Sequence, residues 1–123
     1  MELGKYFDTT DGLGVLSTAG EDGAVNAAVY SKPRFFEDGK VAFIMRDRLT
    51  HANLAHNPHA HYLFRENGDG YHGVRLQLVK VAEECNTERL FALRKRQDRD
   101  AGRREDLFLV FFEVKQQLPL IGT

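Results

Sequence analysis

The stretch Arg46-Asp47-Arg48-Leu49-Thr50-His51-Ala52-Asn53-Leu54-Ala55-His56-Asn57-Pro58 decides how this chain is read. An apolar run, Val41-Ala42-Phe43-Ile44-Met45, enters it as a strand and stops at two arginines. The pattern predicts a short helix with Thr50 as its N-cap, because a threonine hydroxyl accepts a hydrogen bond from a backbone N–H two or three residues on. Leu49 before that cap and Leu54 after it are spaced for a hydrophobic staple. Asn57-Pro58 ends the helix, since proline disfavours helical geometry in the residue before it. A helix N-terminus with free N–H groups, flanked by the guanidiniums of Arg46 and Arg48, has the elements needed to hold a phosphate. The competing reading is an ordinary turn whose arginines face water.

Toward the N-terminus, Gly39 and the residues before it close a hairpin that leads into Val41. A long extended run, Ala24 to Phe36, comes before that turn. Pro33 cannot donate to a ladder, so the far half of the run is expected to be an edge, a bulge or a bend. Gly20-Glu21-Asp22-Gly23 is a turn joining it to an earlier strand, Gly14 to Ala19. Residues 1–12 are polar, with Tyr6-Phe7 as their anchor, and read as a helical turn or an arm.

Toward the C-terminus, His59 to Arg65 alternates, with Ala60, Tyr62 and Phe64 on one face and His59, His61 and Arg65 on the other. Asn67-Gly68-Asp69-Gly70 is the strongest hairpin signal in the chain. A strand returns from Tyr71 to about Glu83, and a helix capped by Asn86 or Thr87 extends to about Arg99, with Leu90, Phe91 and Leu93 on its apolar side. The last strand, Leu107 to Val114, is apolar nearly throughout, which reads as covered on both faces. A second subunit is the expected second cover. The sum is a mainly β chain with two helices, a six-stranded antiparallel β-barrel in a single domain, 1–123. A barrel of that size is filled by its own side chains, so a ligand sits outside it, in a groove shared by two subunits.

The totals narrow the function. The chain has 123 residues, 42% hydrophobic and 28% charged, with a net charge of −1. Such a balance argues against nucleic acid as a partner, because phosphate-backbone affinity needs a surplus of positive charge. No apolar run reaches the length of a membrane span and no apolar leader opens the chain, so no membrane is expected. The single cysteine, Cys85, fits a reducing, cytoplasmic setting. Glu83 and Glu84 beside it disfavour its thiolate.

Two segments carry a resemblance to a known family. Gly14-Val15-Leu16-Ser17-Thr18 followed by Glu21-Asp22-Gly23-Ala24-Val25-Asn26 looks like the opening hairpin of the pyridoxamine 5'-phosphate oxidase-like, FMN-binding split barrels. Val41 to Ile44, then Arg48 to Leu54 and Asn57-Pro58, resembles the same family's strand, phosphate turn and Asn-Leu helix. The resemblance covers about residues 13–82. It implies a homodimer with FMN in each of two interface clefts and a small-molecule substrate or electron donor. By position, Asn26, Ala28, Tyr30 and Ser31 would line the ring or ribityl chain, with Met45 and Arg46 approaching from the third strand. Arg48, Leu49 and Thr50, with His51 nearby, would take the phosphate. Many members have lysine where this chain has Leu49, and Arg48 is the available substitute. The chain is shorter than the true oxidases, so oxidation of pyridoxamine phosphate itself is not expected.

The remaining candidates divide between site and scaffold. Asn53 is read as support for the helix start. Lys32 and Arg34 suit either the flavin edge or the protection of an edge strand. His51, His56, His59 and His61 crowd one segment, with His72 later, but lack the spacing and partners of a metal site. The basic run Arg94-Lys95-Arg96 with Arg99, Arg103 and Arg104 is interleaved with Asp98, Asp100, Glu105 and Asp106, the pattern of a solvated helix. No constellation for a protein nucleophile or acid–base pair is present. The expected function is therefore an FMN-dependent oxidoreductase. The alternative is a non-enzymatic carrier or sensor of flavin or haem.

Overall fold

In a computed structural model, the structure describes residues 2–94 and 105–122. The elements in chain order are α1 (Leu3–Thr9), β1 (Gly12–Ala19), β2 (Val25–Val29), β3 (Arg34–Phe35), β4 (Val41–Arg46), α2 (Leu49–His56), β5 (His59–Glu66), β6 (Gly73–Cys85), α3 (Glu88–Leu93) and β7 (Leu107–Pro119). The strands form one antiparallel sheet in the order β2-β1-β5-β6-β7-β4-β3. Among the described residues no helix is long and apolar enough to cross a membrane.

The described residues contain seven strands and three helices rather than six and two, and the sheet does not close. The extra strand comes from the run 24–36, which divides at its proline. Val25 to Val29 pair with β1, and Arg34 and Phe35 pair with β4 at the opposite end of the sheet. The last bond on the β1 side is Tyr30 N–H to Gly14 O, 3.0 Å. Pro33 has no N–H to carry the ladder onward. Covalent chain, not hydrogen bonds, spans the gap between the two end strands.

The extra helix, α1, is held by the core and by a remote lysine. Phe7 is buried, stacked on Phe35 with ring centroids 5.7 Å apart and edge-on to Phe64 at 4.9 Å. Lys32 Nζ donates to Phe7 O at 2.8 Å and Thr10 O at 3.0 Å, placing a cation at the negative end of the helix. Holding the end of α1 is a role for Lys32 that the sequence does not announce.

Alternation along the strands builds the interior. Leu16, Phe43, Tyr62, Phe64, Leu76, Leu78 and Phe112 share one cluster. Gly14 lets that cluster close: a Cβ there would lie 1.8 Å from Tyr62 Oη, which donates to Tyr30 O at 3.1 Å. Along β7 the alternation serves two clusters. Val110 and Phe112 face the main core, while Leu107, Leu109 and Phe111 join Ala42 and Leu90, with Phe36, Ile44 and Leu93 packed against them. The second face of β7 is thus covered by α3 of the same chain, not by a second subunit. That helix ends at Leu93 with Arg94 as C-cap in extended geometry, short of Arg99. Leu13, Val25, Val29 and Leu63 are large apolar side chains left exposed on the outward side of β1, β2 and β5, and Val81 is exposed on β6. Val15 pairs with both Val29 and Leu63 there, which makes the patch continuous.

Candidate functional site

The strand-to-helix junction after β4 differs from its sequence reading in one detail. Arg48 is extended and occupies the N-cap position in place of Thr50, so α2 begins at Leu49, two residues early. Arg48 N–H donates to Arg46 O at 2.9 Å, and Ala52 N–H to Arg48 O at 2.9 Å begins the helical ladder. Thr50 is therefore inside the first turn and caps nothing. It is buried, accepts from Asn26 Nδ2 at 3.5 Å and hydrogen-bonds with Tyr30. Leu49 is 58% exposed, so the staple with the buried Leu54 does not form. No side chain caps the helix start. At the other end Asn57 is the C-cap, ahead of Pro58 as the sequence indicates. Asn53 is buried and donates from Nδ2 to Thr18 Oγ1 at 3.1 Å, docking α2 on β1.

Beside this junction lies a cleft of about 930 Å³, bounded by α1, residues 29–36, β4 and the end of α3. Of the ten side chains expected around a cofactor, Tyr30, Ser31, Met45, Arg46 and Arg48 line it. Asn26, Ala28, Leu49, Thr50 and His51 do not. Asn26 and Ala28 are half-buried on one side of β2, where Asn26 donates to Thr50 of α2. Lys32, Arg34, Arg46, Arg48 and Arg94 also face the cleft, against Asp8 as the single carboxylate of the described lining. A cleft with that excess of cations draws anions. Its apolar wall includes Phe43 and Tyr30, edge to face with centroids 6.0 Å apart. Burial pushes the Tyr30 hydroxyl pKa up despite the bond with Thr50, so it stays protonated at neutral pH. Arg34 Nη2 donates to Leu93 O at 3.0 Å and ties the end of α3 to the cleft.

Arg46 and Arg48 converge. Arg46 Nη1 lies 2.9 Å from Glu105 Oε2, and Arg48 Nη2 lies 2.7 Å from Glu105 Oε1. Hydrogen bonds from Arg48 and then Arg46 hold the Glu105 carboxyl below the usual carboxylate range. Glu105 was not legible as a site residue. Its neighbours in sequence are charged, and only the β4–β7 register, with Arg46 opposite Leu107, brings it to the turn.

His51 turns away from the cleft. Its Nδ1 is 3.0 Å from Asp47 Oδ1 and its Nε2 3.1 Å from Glu83 Oε1, and the ring stacks on Phe108 with centroids 3.8 Å apart. Burial pushes the Glu83 carboxyl up, but hydrogen bonds from Lys80 and His51 outweigh it and leave the group below its ordinary value. The other histidines stay apart: His61 Nδ1 meets Gln77 Oε1 at 3.1 Å, and His56 pairs with Glu21 at 3.6 Å. Among the described residues no three His, Cys, Asp or Glu side chains gather as a metal site. Desolvation and the charges of Asp106, Glu83 and Asp47 push the Cys85 thiol up, away from reactivity. Of the basic run, Arg94 borders the cleft. Lys95, Arg96, Asp98, Arg99, Asp100, Arg103 and Arg104 lie outside the described residues.

No protein-family model and no curated protein matches the chain. Solved structures do. An FMN-binding protein from Syntrophomonas wolfei subsp. wolfei is 19% identical with a TM-score of 0.72, over 98% of this chain and 84% of that one. An F420 reductase is 12% identical with a TM-score of 0.72, over 95% and 97% of the two chains. A putative pyridoxamine 5'-phosphate oxidase from Listeria innocua is 16% identical with a TM-score of 0.61, over 97% and 98%. The chain therefore has the pyridoxamine 5'-phosphate oxidase-like fold.

Proposed function

We propose that the chain is an FMN-binding flavoprotein that acts as an oxidoreductase, with the FMN phosphate held at the Arg46–Arg48 turn. The observation that carries this reading is the convergence of two guanidiniums on a single anion beside an uncapped helix start. The donor set fits the group: two arginines and free backbone N–H groups are the usual partners of a phosphate monoester. The cleft beside them is of cofactor size and has an aromatic wall. The solved structures of the same fold include a protein described as FMN-binding and one described as a reductase, which supports both halves of the proposal.

Bound FMN supplies hydride or electron transfer. The chain supplies position. Arg46 and Arg48 neutralise the phosphate and fix one end of the cofactor. Tyr30 and Phe43 give an apolar surface that excludes water, and burial keeps the Tyr30 hydroxyl protonated while Thr50 hydrogen-bonds to it. No histidine or cysteine lines the described cleft, so the chain offers binding and orientation there rather than a nucleophile. That same feature favours, as a second reading, a carrier that holds FMN without turnover. A small-molecule donor or substrate would enter from the basic side of the cleft.

A second copy of the chain is part of the proposal. The outward patch of Leu13, Val25, Val29 and Leu63, joined through the partly buried Val15, has no cover among the described residues, and a homodimer would bury it. Sedimentation at several concentrations tests the dimer. An absorption spectrum, taken before and after adding FMN and desalting, tests the cofactor. Retained flavin bands at about one per chain are expected. A colourless protein after desalting contradicts the reading, and retained flavin with no oxidation of reduced nicotinamides selects the carrier.

A further inference from the structure

We infer that Glu105 is an internal competitor for the Arg46/Arg48 site, a carboxylate that holds the two guanidiniums until a phosphate monoester displaces it. The inference rests on the phosphate-site reading above and adds what sets its selectivity. Each Glu105 oxygen meets a different arginine, at 2.9 and 2.7 Å, so the carboxylate bridges the two guanidiniums as a bound anion would. Its position is built from behind. Asn86, at φ 54, donates from Nδ2 to Asp106 Oδ1 at 3.0 Å and accepts the Leu107 N–H at Oδ1, 2.9 Å. The Asn86 N–H donates to Leu107 O, also at 2.9 Å. These three bonds fix the two residues after Glu105 at the start of β7, opposite Arg46 in the ladder. Glu105 is presented to the arginines by this clamp.

The physical consequence is a threshold. A tethered carboxylate competes at an effective concentration of about millimolar, so a free monocarboxylate present at lower concentration does not displace it. A phosphate monoester carries a charge of about −1.5 to −2 at neutral pH and has three acceptor oxygens. It can take both guanidiniums at once and still have an acceptor oxygen to spare. Glu105 is partly exposed, with 40% of its side chain accessible, so its own hold is weak enough to yield. The apparent affinity for phosphate is lowered by the fraction of chains in which Glu105 is engaged.

The test compares the full chain with Glu105→Gln, which keeps size and removes charge. Inorganic phosphate is titrated against the unfolding midpoint at constant ionic strength, and FMN and riboflavin are titrated by flavin fluorescence. We expect the variant to need about three- to tenfold less phosphate for the same shift and to bind FMN tighter by a similar factor, with riboflavin unchanged. Equal or weaker phosphate binding by the variant overturns the inference, because Glu105 would then be neutral or would preorganise the arginines. Phosphate binding by neither protein overturns it as well. Tighter phosphate binding with no binding of FMN by either protein keeps the inference and removes the cofactor reading instead. An equal unfolding midpoint for the two proteins without phosphate confirms that the variant is folded.

Discussion

The starts of α2 and α3 follow strand ends in the same way and are finished in opposite ways. At α3 the local sequence completes the turn. Thr87 Oγ1 accepts the Leu90 N–H at 3.3 Å and donates to Glu84 Oε1 at 2.8 Å, while Arg89 closes on the same carboxylate. Glu88 adds negative charge in the first turn, where the helix dipole favours it. At α2 no side chain caps the first turn and no acidic residue stands in it. Its partner anion, Glu105, comes from another strand. A helix end completed by adjacent residues serves stability. An end left open, with two arginines bent toward one carboxylate, is suited to exchange that carboxylate for something that arrives.

The contrast breaks most easily at the arginines. Replacing both Arg46 and Arg48 by alanine should weaken FMN binding by about 3 kcal/mol or more, roughly a hundredfold, since each charged hydrogen bond contributes about 1.5–3 kcal/mol. The unfolding midpoint should hardly move, because these ion pairs are partly exposed. A fluorescence titration beside a denaturation curve reads both, and unchanged FMN affinity would dissolve the distinction between the two helices.

The mirror substitution sharpens it. Thr87→Ala should cost about 1 kcal/mol of stability through loss of the cap and leave FMN affinity alone. Thr50→Ala lies between. It removes the acceptor for Asn26 and the partner of Tyr30 without removing a cap. The expected loss is about 0.5–1.5 kcal/mol in stability, with FMN affected less than by either arginine. If Thr50→Ala abolished FMN binding at unchanged stability, the hydroxyl would belong to the phosphate site after all.

The smallest effect is a pH dependence at α3. Hydrogen bonds from Arg89 and Thr87 hold the Glu84 carboxyl below its ordinary value. A carboxylate with a lowered pKa in the folded state contributes stability above its unfolded pKa, and the contribution is lost as pH falls through the folded one. Denaturation curves between about pH 5 and pH 3 should fall less steeply for Glu84→Gln than for the parent, by a few tenths of a kcal/mol in total for so exposed a pair. An identical slope would mean that Glu84 does not hold α3.

Much of the fold is legible because strand alternation is a local signal. Ala60, Tyr62 and Phe64 face inward on β5 as the pattern indicates, and the β4–α2 junction with its Asn57-Pro58 stop stands where the sequence puts it. What is not legible depends on distant partners. Pro33 marks a break, but only the pairing of β2 and β3 with opposite ends of the sheet turns one strand into two. The apolar run of β7 announces two covered faces without saying that the six-residue α3 covers one of them. Thr50 has the chemistry of a cap, and the turn made by Arg48 N–H to Arg46 O starts the helix before it. The arginines of the candidate site are readable from composition and spacing. Glu105, which occupies them, is readable only from the ladder between β4 and β7.

The most direct test of the central claim is a parallel titration of FMN and riboflavin into the flavin-free protein, followed by flavin fluorescence. The two ligands share a ring and differ in the phosphate. The account predicts saturation at about one FMN per chain, with riboflavin bound at least tenfold more weakly, the difference expected from about 1.4 kcal/mol or more of phosphate contact. Equal affinities, or binding of neither, would contradict it.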